Sequence, residues 1–302
     1  ALAVRCLNIW LLAETVGAFY AEDDFFPVVS SYWARAFGFL PNAPVNLAYA
    51  ERVPLYPLLV ALLQGLGLGA PALLALANAL IDAVTCTIIG RLGCMIDRPT
   101  GTAAGLLAAC WPNLIIHSGL VLSDALFVLI FTGLLWCAGR TLQRPAMVKV
   151  AAAGGLLGLA IVTRPVAQFL PIPIFFAVVA IALYHRWSAL RAAAAGALFL
   201  LATLIAPLPV LIHNHIKFDA LTLSNQGGTH LLFWVVPAVK QAEDGTPKQE
   251  TRLRLQQRKA EIRTLAGEGP SAQAHSRENR LMTALALSEL AASSPAAIAA
   301  AW

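Results

Sequence analysis

Long runs of apolar residues restrict what this chain can fold into more than any other feature. Six runs approach the roughly 20 residues that an α-helix needs to cross a membrane, and few charges interrupt them. The predicted spans are Gly69 to Arg91, Thr102 to Ser118, Leu120 to Arg140, Val148 to Thr163, Val166 to Tyr184 and Ala192 to Ile212. Hydrophobic residues make up 59% of the chain and charged residues only 12%, which is not the composition of a water-soluble domain. The sequence therefore predicts an all-α, polytopic transmembrane helix bundle.

The two ends of the chain suggest a fragment of a longer protein. Residues Ala1 to Ala13 predict a partial seventh span, which Arg5 and Asn8 interrupt and which begins without a Met. The last apolar run, Ala296 to Trp302, stops where a helix would begin. We expect a transmembrane region over residues 1–212, an outer segment over 213–302 and further spans beyond the ends.

Basic residues in the short loops predict the orientation of the spans. Loops 91–98, 140–149 and 186–191 together hold seven Lys and Arg residues, and such loops are typically cytoplasmic. Residues 14–68 and 213–302 should therefore face outside. Within the first outer segment, Asp23 to Phe39 is amphipathic and Pro54 to Leu66 is apolar but only 13 residues long. Both are typical of helices that lie along the membrane surface.

The second outer segment opens with a predicted turn, Ser224 to Gly228, and continues with a charged helix from Lys248 to Leu265. The basic residues of this helix alternate with Glu250 and Glu261; they are Arg252, Arg254, Arg258, Lys259 and Arg263. A solvated helix face is the simpler interpretation of this pattern. Contact with lipid headgroups is the alternative.

Other classes of site receive little support from the sequence. The net charge of +5 forms no basic stripe with interleaved aromatic residues, which argues against a nucleic-acid partner. The cysteines are scattered and indicate small buried side chains rather than disulfides or metal ligands; they are Cys6, Cys86, Cys94, Cys110 and Cys137. His213 and His215 lie two positions apart, where helical side chains do not face one another.

Charged residues at the membrane boundary are the candidates for chemistry, because a charge at membrane depth costs roughly 3 kcal/mol on insertion scales. The predicted orientation places four groups on the outer side: Glu22-Asp23-Asp24, Glu51-Arg52, Asp124 and Arg164. Simpler interpretations exist for each group. The acids would suit helix N-termini, and the arginines could extend to lipid headgroups.

Three further polar residues lie within predicted spans or at their ends. Asp82 follows Asn78 by one helical turn, near the middle of a span. Hydrogen bonds between helices explain such residues, and a proton or ion relay is the alternative. His117, at the outer end of its span, is a candidate site contact.

The order of several motifs resembles the GT-C class of membrane glycosyltransferases, specifically the dolichyl-phosphate-mannose protein mannosyltransferase-like group of bacteria, which is similar to glycosyltransferase family 39. The likeness covers about 230 residues. Its motifs are Glu22-Asp23-Asp24, Arg52 to Leu59 (RVPLYPLL), Ser118 to Phe127 (SGLVLSDALF), Thr163-Arg164-Pro165 with the following Leu170 to Pro173, and Ser224 to Gly228. His117 departs from the family pattern, which commonly has an aromatic residue there, and the charged tail after Gly245 resembles no part of the family.

The resemblance implies a fold, an activity and a set of roles. A GT-C enzyme transfers a sugar, with inversion, from a polyprenyl-phosphate donor to a lipid, glycan or protein acceptor outside the bacterial cytoplasmic membrane. Asp23 or Asp24 would then be the catalytic base, and Arg52 would hold the donor phosphate.

The remaining candidates would assist this chemistry. Arg164 would add a second positive charge, and Asp124, where relatives more often have Glu, would orient the acceptor or a basic partner. Glu51 would pair with Arg52 or help to hold a divalent metal, whose use the sequence leaves open. A multi-span transporter or lipid flippase is the alternative function, and a non-catalytic membrane subunit is a third.

Overall fold

A computed structural model describes residues 1–16, 25–37, 52–267 and 271–301, and all regular structure within these ranges is helical. The α-helices are α1 Leu2–Val16, α2 Phe25–Ala36, α3 Leu55–Gly65, α4 Pro71–Gly93, α5 Arg98–Cys110, α6 Pro112–Ser118, α7 Asp124–Gln143, α8 Met147–Ile161, α9 Pro171–Tyr184, α10 Ala189–Leu204, α11 Pro207–Phe218, α12 Gly227–His230, α13 Val236–Asp244, α14 Lys248–Ala266, α15 Ala272–Ala291 and α16 Pro295–Ala300. A 3₁₀ turn, Pro165–Phe169, precedes α9, and a π-helical stretch, Leu231–Val235, joins α12 to α13.

The helices form two compact units. The first unit comprises residues 1–44 and 53–210, and the second comprises residues 45–52 and 211–302. In the first unit α4 contacts α1, α5, α6 and α7, while α8 packs between α7 and α10. In the second unit α12 to α16 pack together.

The prediction of apolar, membrane-compatible helices is confirmed in part. Among the described residues, α4 and α7 are long and apolar enough to cross a membrane, with 23 and 20 residues. A third span results if α10 and α11, which meet at a bend of 51°, count as one. By length and composition the described chain therefore has two or three candidate spans.

The other predicted spans are broken or short. The run Thr102 to Ser118 divides into α5 and α6, and Val166 to Tyr184 begins with the 3₁₀ turn. Helices α8 and α9 have 15 and 14 residues, which corresponds to about 22 Å and 21 Å of helix. Both lengths are below the roughly 30 Å of a hydrocarbon core.

A proline and a buried arginine explain the break between α5 and α6. Pro112 has no N–H, so it cannot donate to the carbonyl of Ala108 one turn earlier. The Ala108 carbonyl accepts instead from the Trp111 N–H at 3.3 Å. Arg5 of α1 also donates to the carbonyls of Ala108 and Ala109, at 3.4 and 2.9 Å. Its guanidinium also forms an ion pair with Asp82 of α4, and both side chains are buried. Arg5, which interrupts the first apolar run of the sequence, therefore joins three helices in the structure: α1, α4 and α5.

Close backbone contact joins α8 to α10. Gly154 and Gly158 lie one turn apart on α8, and a Cβ atom at either position would collide with the carbonyl oxygen of Phe199 or Thr203. Small residues at this spacing let two helices approach closely in a membrane protein. The two glycines thus allow α8 to lie directly against the backbone of α10.

The second unit has its own apolar core. The core residues come from the π-helical stretch, α13, α14 and α15; they are Leu232, Val236, Leu255, Ile262, Met282 and Ala286. The predicted charged helix is confirmed as α14, which buries Thr251, Leu255, Ile262 and Ala266 along one side. This periodic burial leaves the charged side chains on its flanks.

An acid-sensitive contact connects α13 to α16. The Glu243 carboxylate accepts hydrogen bonds from Lys240 Nζ at 2.9 Å and from the Ser294 backbone N–H at 2.8 Å. Ser294 in turn caps α16 by accepting from the Ala297 N–H at 3.2 Å. The Lys240 hydrogen bond, followed by the bonds from Ser294 and Ser293, holds the pKa of Glu243 below its ordinary value of 4.5.

We predict that Arg5→Met destabilises the chain by about 3 to 5 kcal/mol, because it leaves Asp82 as a buried charge without its partner. Chemical unfolding in detergent, followed by circular dichroism, measures the change. The double variant Arg5→Met, Asp82→Leu should recover part of the loss. Arg98→Met, at an exposed position, should stay within about 0.5 kcal/mol of wild type. Wild-type stability of Arg5→Met would contradict the structural role of this pair.

We also predict that the contact of Glu243 with α16 weakens in acid. Because the folded-state pKa is lowered, its stabilisation is complete above the unfolded value near 4.5 and is lost as the pH falls through the lowered pKa. The protection factors of the amides in α16, which correct for the pH dependence of intrinsic exchange, should therefore fall over this range in wild type and not in Glu243→Gln. Glu261→Gln, at an exposed position on α14, should retain the wild-type response; identical pH profiles for wild type and Glu243→Gln would count against the contact.

Candidate functional site

The structure describes some of the predicted site residues and not others. Asp23, Asp24 and Glu51 lie outside the described residues, as does Glu22. Arg52 is half-buried and belongs to the second unit. His117 is exposed at the end of α6. The roles assigned to these residues stay predictions.

Asp124 and Arg164, which lie 40 residues apart in sequence, form an ion pair in the first unit. Asp124 is the first residue of α7. Arg164 follows the end of α8 in an extended conformation (φ −145°, ψ 120°), which is the backbone region favoured before a proline. Arg164 Nη1 donates to Asp124 Oδ1, and the guanidinium carbon lies 5.9 Å from the Phe127 ring centroid.

This ion pair is open to a ligand, because its side chains retain 42% exposure for Arg164 and 28% for Asp124. A guanidinium carries five N–H donors, so the contact with one carboxylate oxygen leaves others for an anion. Arginine suits phosphate oxygens through its planar, forked arrangement of donors. Asp124 thus contacts a basic side chain, and its role in orienting that partner or an acceptor stays a prediction.

An apolar cavity of about 780 Å³ lies alongside α3 in the same unit. Its lining comes from α2, α3 and the turn after it, α7 and α8; the residues are Ala34, Leu55, Leu58, Leu59, Ala61, Leu62, Gly65, Leu66, Leu126, Ile130 and Leu159. None of these side chains is polar, so the cavity suits a hydrocarbon ligand. Its size is within the usual range of about 300 to 1,000 Å³ for ligand pockets.

The ion pair and the cavity lining share two elements, the start of α7 and the end of α8. Leu126, which lines the cavity, follows Asp124 by two positions on α7. Leu55, also in the lining, donates its backbone N–H to the carbonyl of Val162 at 3.0 Å, two residues before Arg164. A charged pair beside an apolar cavity is an arrangement that suits an amphiphile with an anionic headgroup.

Buried polar contacts hold the elements that form this site. Asn78 Nδ2 of α4 donates to the Tyr56 hydroxyl of α3 at 2.9 Å and to the Leu120 carbonyl at 2.6 Å. These bonds fix α3 and the segment that leads into Asp124. The expected hydrogen bonds between helices at Asn78 and Asp82 are thus present.

Sequence reasoning missed the partners of Asp82 and Asn78, which are Arg5 and Tyr56. Arg5 was interpreted only as an interruption of an apolar run, and Tyr56 only as part of a motif. One signal could have paired Arg5 with Asp82. Arg5 lies inside the apolar run of one predicted span, and Asp82 lies in the middle of another, where each charge needs a partner.

Within the described ranges, no group of three or more His, Cys, Asp or Glu residues is arranged to hold a metal ion.

Comparisons with protein-family models, with curated proteins and with solved structures found no match to this chain. The resemblance to GT-C glycosyltransferases therefore depends on the motifs in the sequence.

Proposed function

We propose that the chain is a GT-C membrane glycosyltransferase of the inverting type, acting at the outer face of the bacterial cytoplasmic membrane. Its donor would be a polyprenyl-phosphate sugar, and its acceptor a lipid, a glycan or a protein. The observation that carries the proposal is the apolar cavity beside the Asp124–Arg164 pair. A lipid-linked donor needs both an apolar site for its chain and a cationic site for its phosphate.

The proposed reaction requires a base and a stabilised leaving group. The acceptor hydroxyl oxygen attacks the anomeric carbon while a carboxylate takes the hydroxyl proton. The bond between that carbon and the phosphate oxygen breaks, and the phosphate leaves with the electron pair. Asp23 or Asp24 would be the base, by resemblance to the family.

Cationic groups would stabilise the phosphate as its charge increases. By resemblance to the family, Arg52 is a proposed donor of hydrogen bonds to it, and Arg164 is proposed to add a second positive charge. Asp124 would orient Arg164, which it already contacts. Glu51 and His117 are proposed to help position the substrates.

A transporter or lipid flippase is the second candidate. The bend of 51° between α10 and α11 favours it, since broken helices often form the substrate sites of transporters. The two proposals differ in product: a transferase makes a new glycosidic bond, whereas a flippase moves its lipid unchanged.

Sugar transfer by the purified chain tests the first proposal directly. Radiolabelled polyprenyl-phosphate sugars and a membrane extract as the source of acceptor should give labelled product with wild type. Asp23→Asn or Asp24→Asn should lower transfer by at least about 100-fold, the usual lower range for loss of a general base. Glu14→Gln, at an exposed position on α1, is the matched control and should retain activity. Full activity in both aspartate variants would reject the assigned base, and lipid movement without transfer would favour the flippase.

A substitution that fills the cavity tests the proposed site for the donor chain. Gly65 lines the cavity, and a Cβ atom there would meet no other atom within 4 Å. Gly65→Phe should therefore fold normally and raise the KM for a long polyprenyl donor more than the KM for a short-chain analogue. Gly155→Phe is the matched control, because that glycine on α8 also has open space and is outside the lining. Equal effects of the two substitutions would contradict a chain-binding role for the cavity.

A further inference from the structure

The charged residues of α14 lie in two stripes along the helix, which differ in their net charge. Arg252, Gln256, Lys259 and Arg263 occur at positions i, i+4, i+7 and i+11, so they follow one flank of the helix. Glu250, Arg254, Arg258 and Glu261, at positions i, i+4, i+8 and i+11, follow the opposite flank. The first set, which we name the basic stripe, contains three cations and no acid. The second set contains two cations and two acids.

Aromatic side chains of the π-helical stretch lie beside the basic stripe. The Arg252 guanidinium carbon is 4.5 Å from the Trp234 ring centroid, and Lys259 Nζ is 5.8 Å from that of Phe233. Trp234 is 60% exposed although it is a large apolar residue. The surface therefore combines an exposed indole with three cations, and its nearest acid, Glu278, is 3.9 Å from Lys259.

An exposed tryptophan among basic residues is typical of surfaces that contact the membrane interface. Indole rings concentrate at the level of the lipid headgroups, and Lys and Arg near the surface are attracted to anionic lipids. Only residues 219–226 separate α11 from α12, a stretch of at most about 28 Å when fully extended.

We propose that the basic stripe and Trp234 form a docking surface for anionic phospholipid headgroups of the bilayer that the chain spans. The indole enters the interface while Arg252, Lys259 and Arg263 contact the phosphates. This proposal concerns the second unit alone and holds whether or not the chain is a glycosyltransferase. The opposite flank of α14 has no net charge, which makes it a control within the same helix.

Fluorescence of Trp234 in the full chain tests the proposal. The chain is reconstituted into vesicles of phosphatidylcholine alone or mixed with phosphatidylglycerol, each with and without brominated acyl chains that quench indoles. The difference between wild type and Trp234→Phe isolates this residue from the other tryptophans. Quenching should be strong in vesicles containing phosphatidylglycerol, weak in phosphatidylcholine, and reduced at high salt because ions screen the attraction.

Charge-reversal variants identify which flank is responsible. Lys259→Glu with Arg263→Glu should raise the phosphatidylglycerol content needed for half-maximal quenching by at least about fivefold, the expected loss for one basic residue near a membrane surface. Arg254→Glu with Arg258→Glu should leave it unchanged. Lys259→Arg with Arg263→Lys should retain quenching, and this variant separates loss of charge from misfolding.

Three outcomes would overturn the proposal. The first is equal quenching in both vesicle types, which would indicate insertion without recognition of anionic lipid. The second is an equal loss in both charge-reversal variants. The third is no quenching in either vesicle type, which would leave the basic stripe as a solvated helix face.

Discussion

Apolar helices in this chain are interrupted by prolines, and each proline leaves the carbonyl one turn earlier without its usual helical N–H donor. In a bilayer such a carbonyl has no water to bond, and leaving it unsatisfied costs several kcal/mol. At the break before Pro112 the Ala108 carbonyl accepts from the Trp111 N–H. Arg5 donates to Ala108 and Ala109 as well, while Asp82 balances its charge. One buried ion pair thus determines where α1, α4 and α5 meet.

The second unit repeats this solution with different residues. Pro237 cannot donate to the carbonyl of Phe233 one turn earlier. Arg252 Nε of α14 donates to that carbonyl at 2.9 Å. Phe233 itself lies within the π-helical stretch Leu231–Val235. The same arginine stacks on Trp234, so the repair of the backbone also places an exposed indole beside the basic stripe. Local backbone chemistry therefore generates the surface that we propose contacts lipid.

The sequence predicted helices better than it predicted their lengths and partners. Apolar periodicity located α4 and α7 within a few residues, and the charge pattern located α14, because both signals are local. Thr102 to Ser118 was predicted as one span, although Pro112 within it marks where the helix breaks. Tyr56 could not be paired with Asn78 from local patterns, since that contact joins distant parts of the chain. For Arg5 and Asp82, opposite charges in two apolar runs were a signal, but a signal that no local pattern contains. The pairing of Asp124 with Arg164 follows neither from spacing nor from charge alone.

The early end of α8 is what connects the helix bundle to the candidate site. Pro165 cannot donate to the carbonyl of Ile161, and it holds Arg164 in an extended conformation. The adjacent Val162 carbonyl accepts the Leu55 N–H, which ties the start of α3 to the end of α8. A helix of only 15 residues is acceptable here because α8 is packed against α7 and α10 rather than exposed along its length to lipid. Had α8 continued for a full span, its next turns would have occupied the position of Arg164, and the arginine could not have met Asp124 beside the apolar cavity.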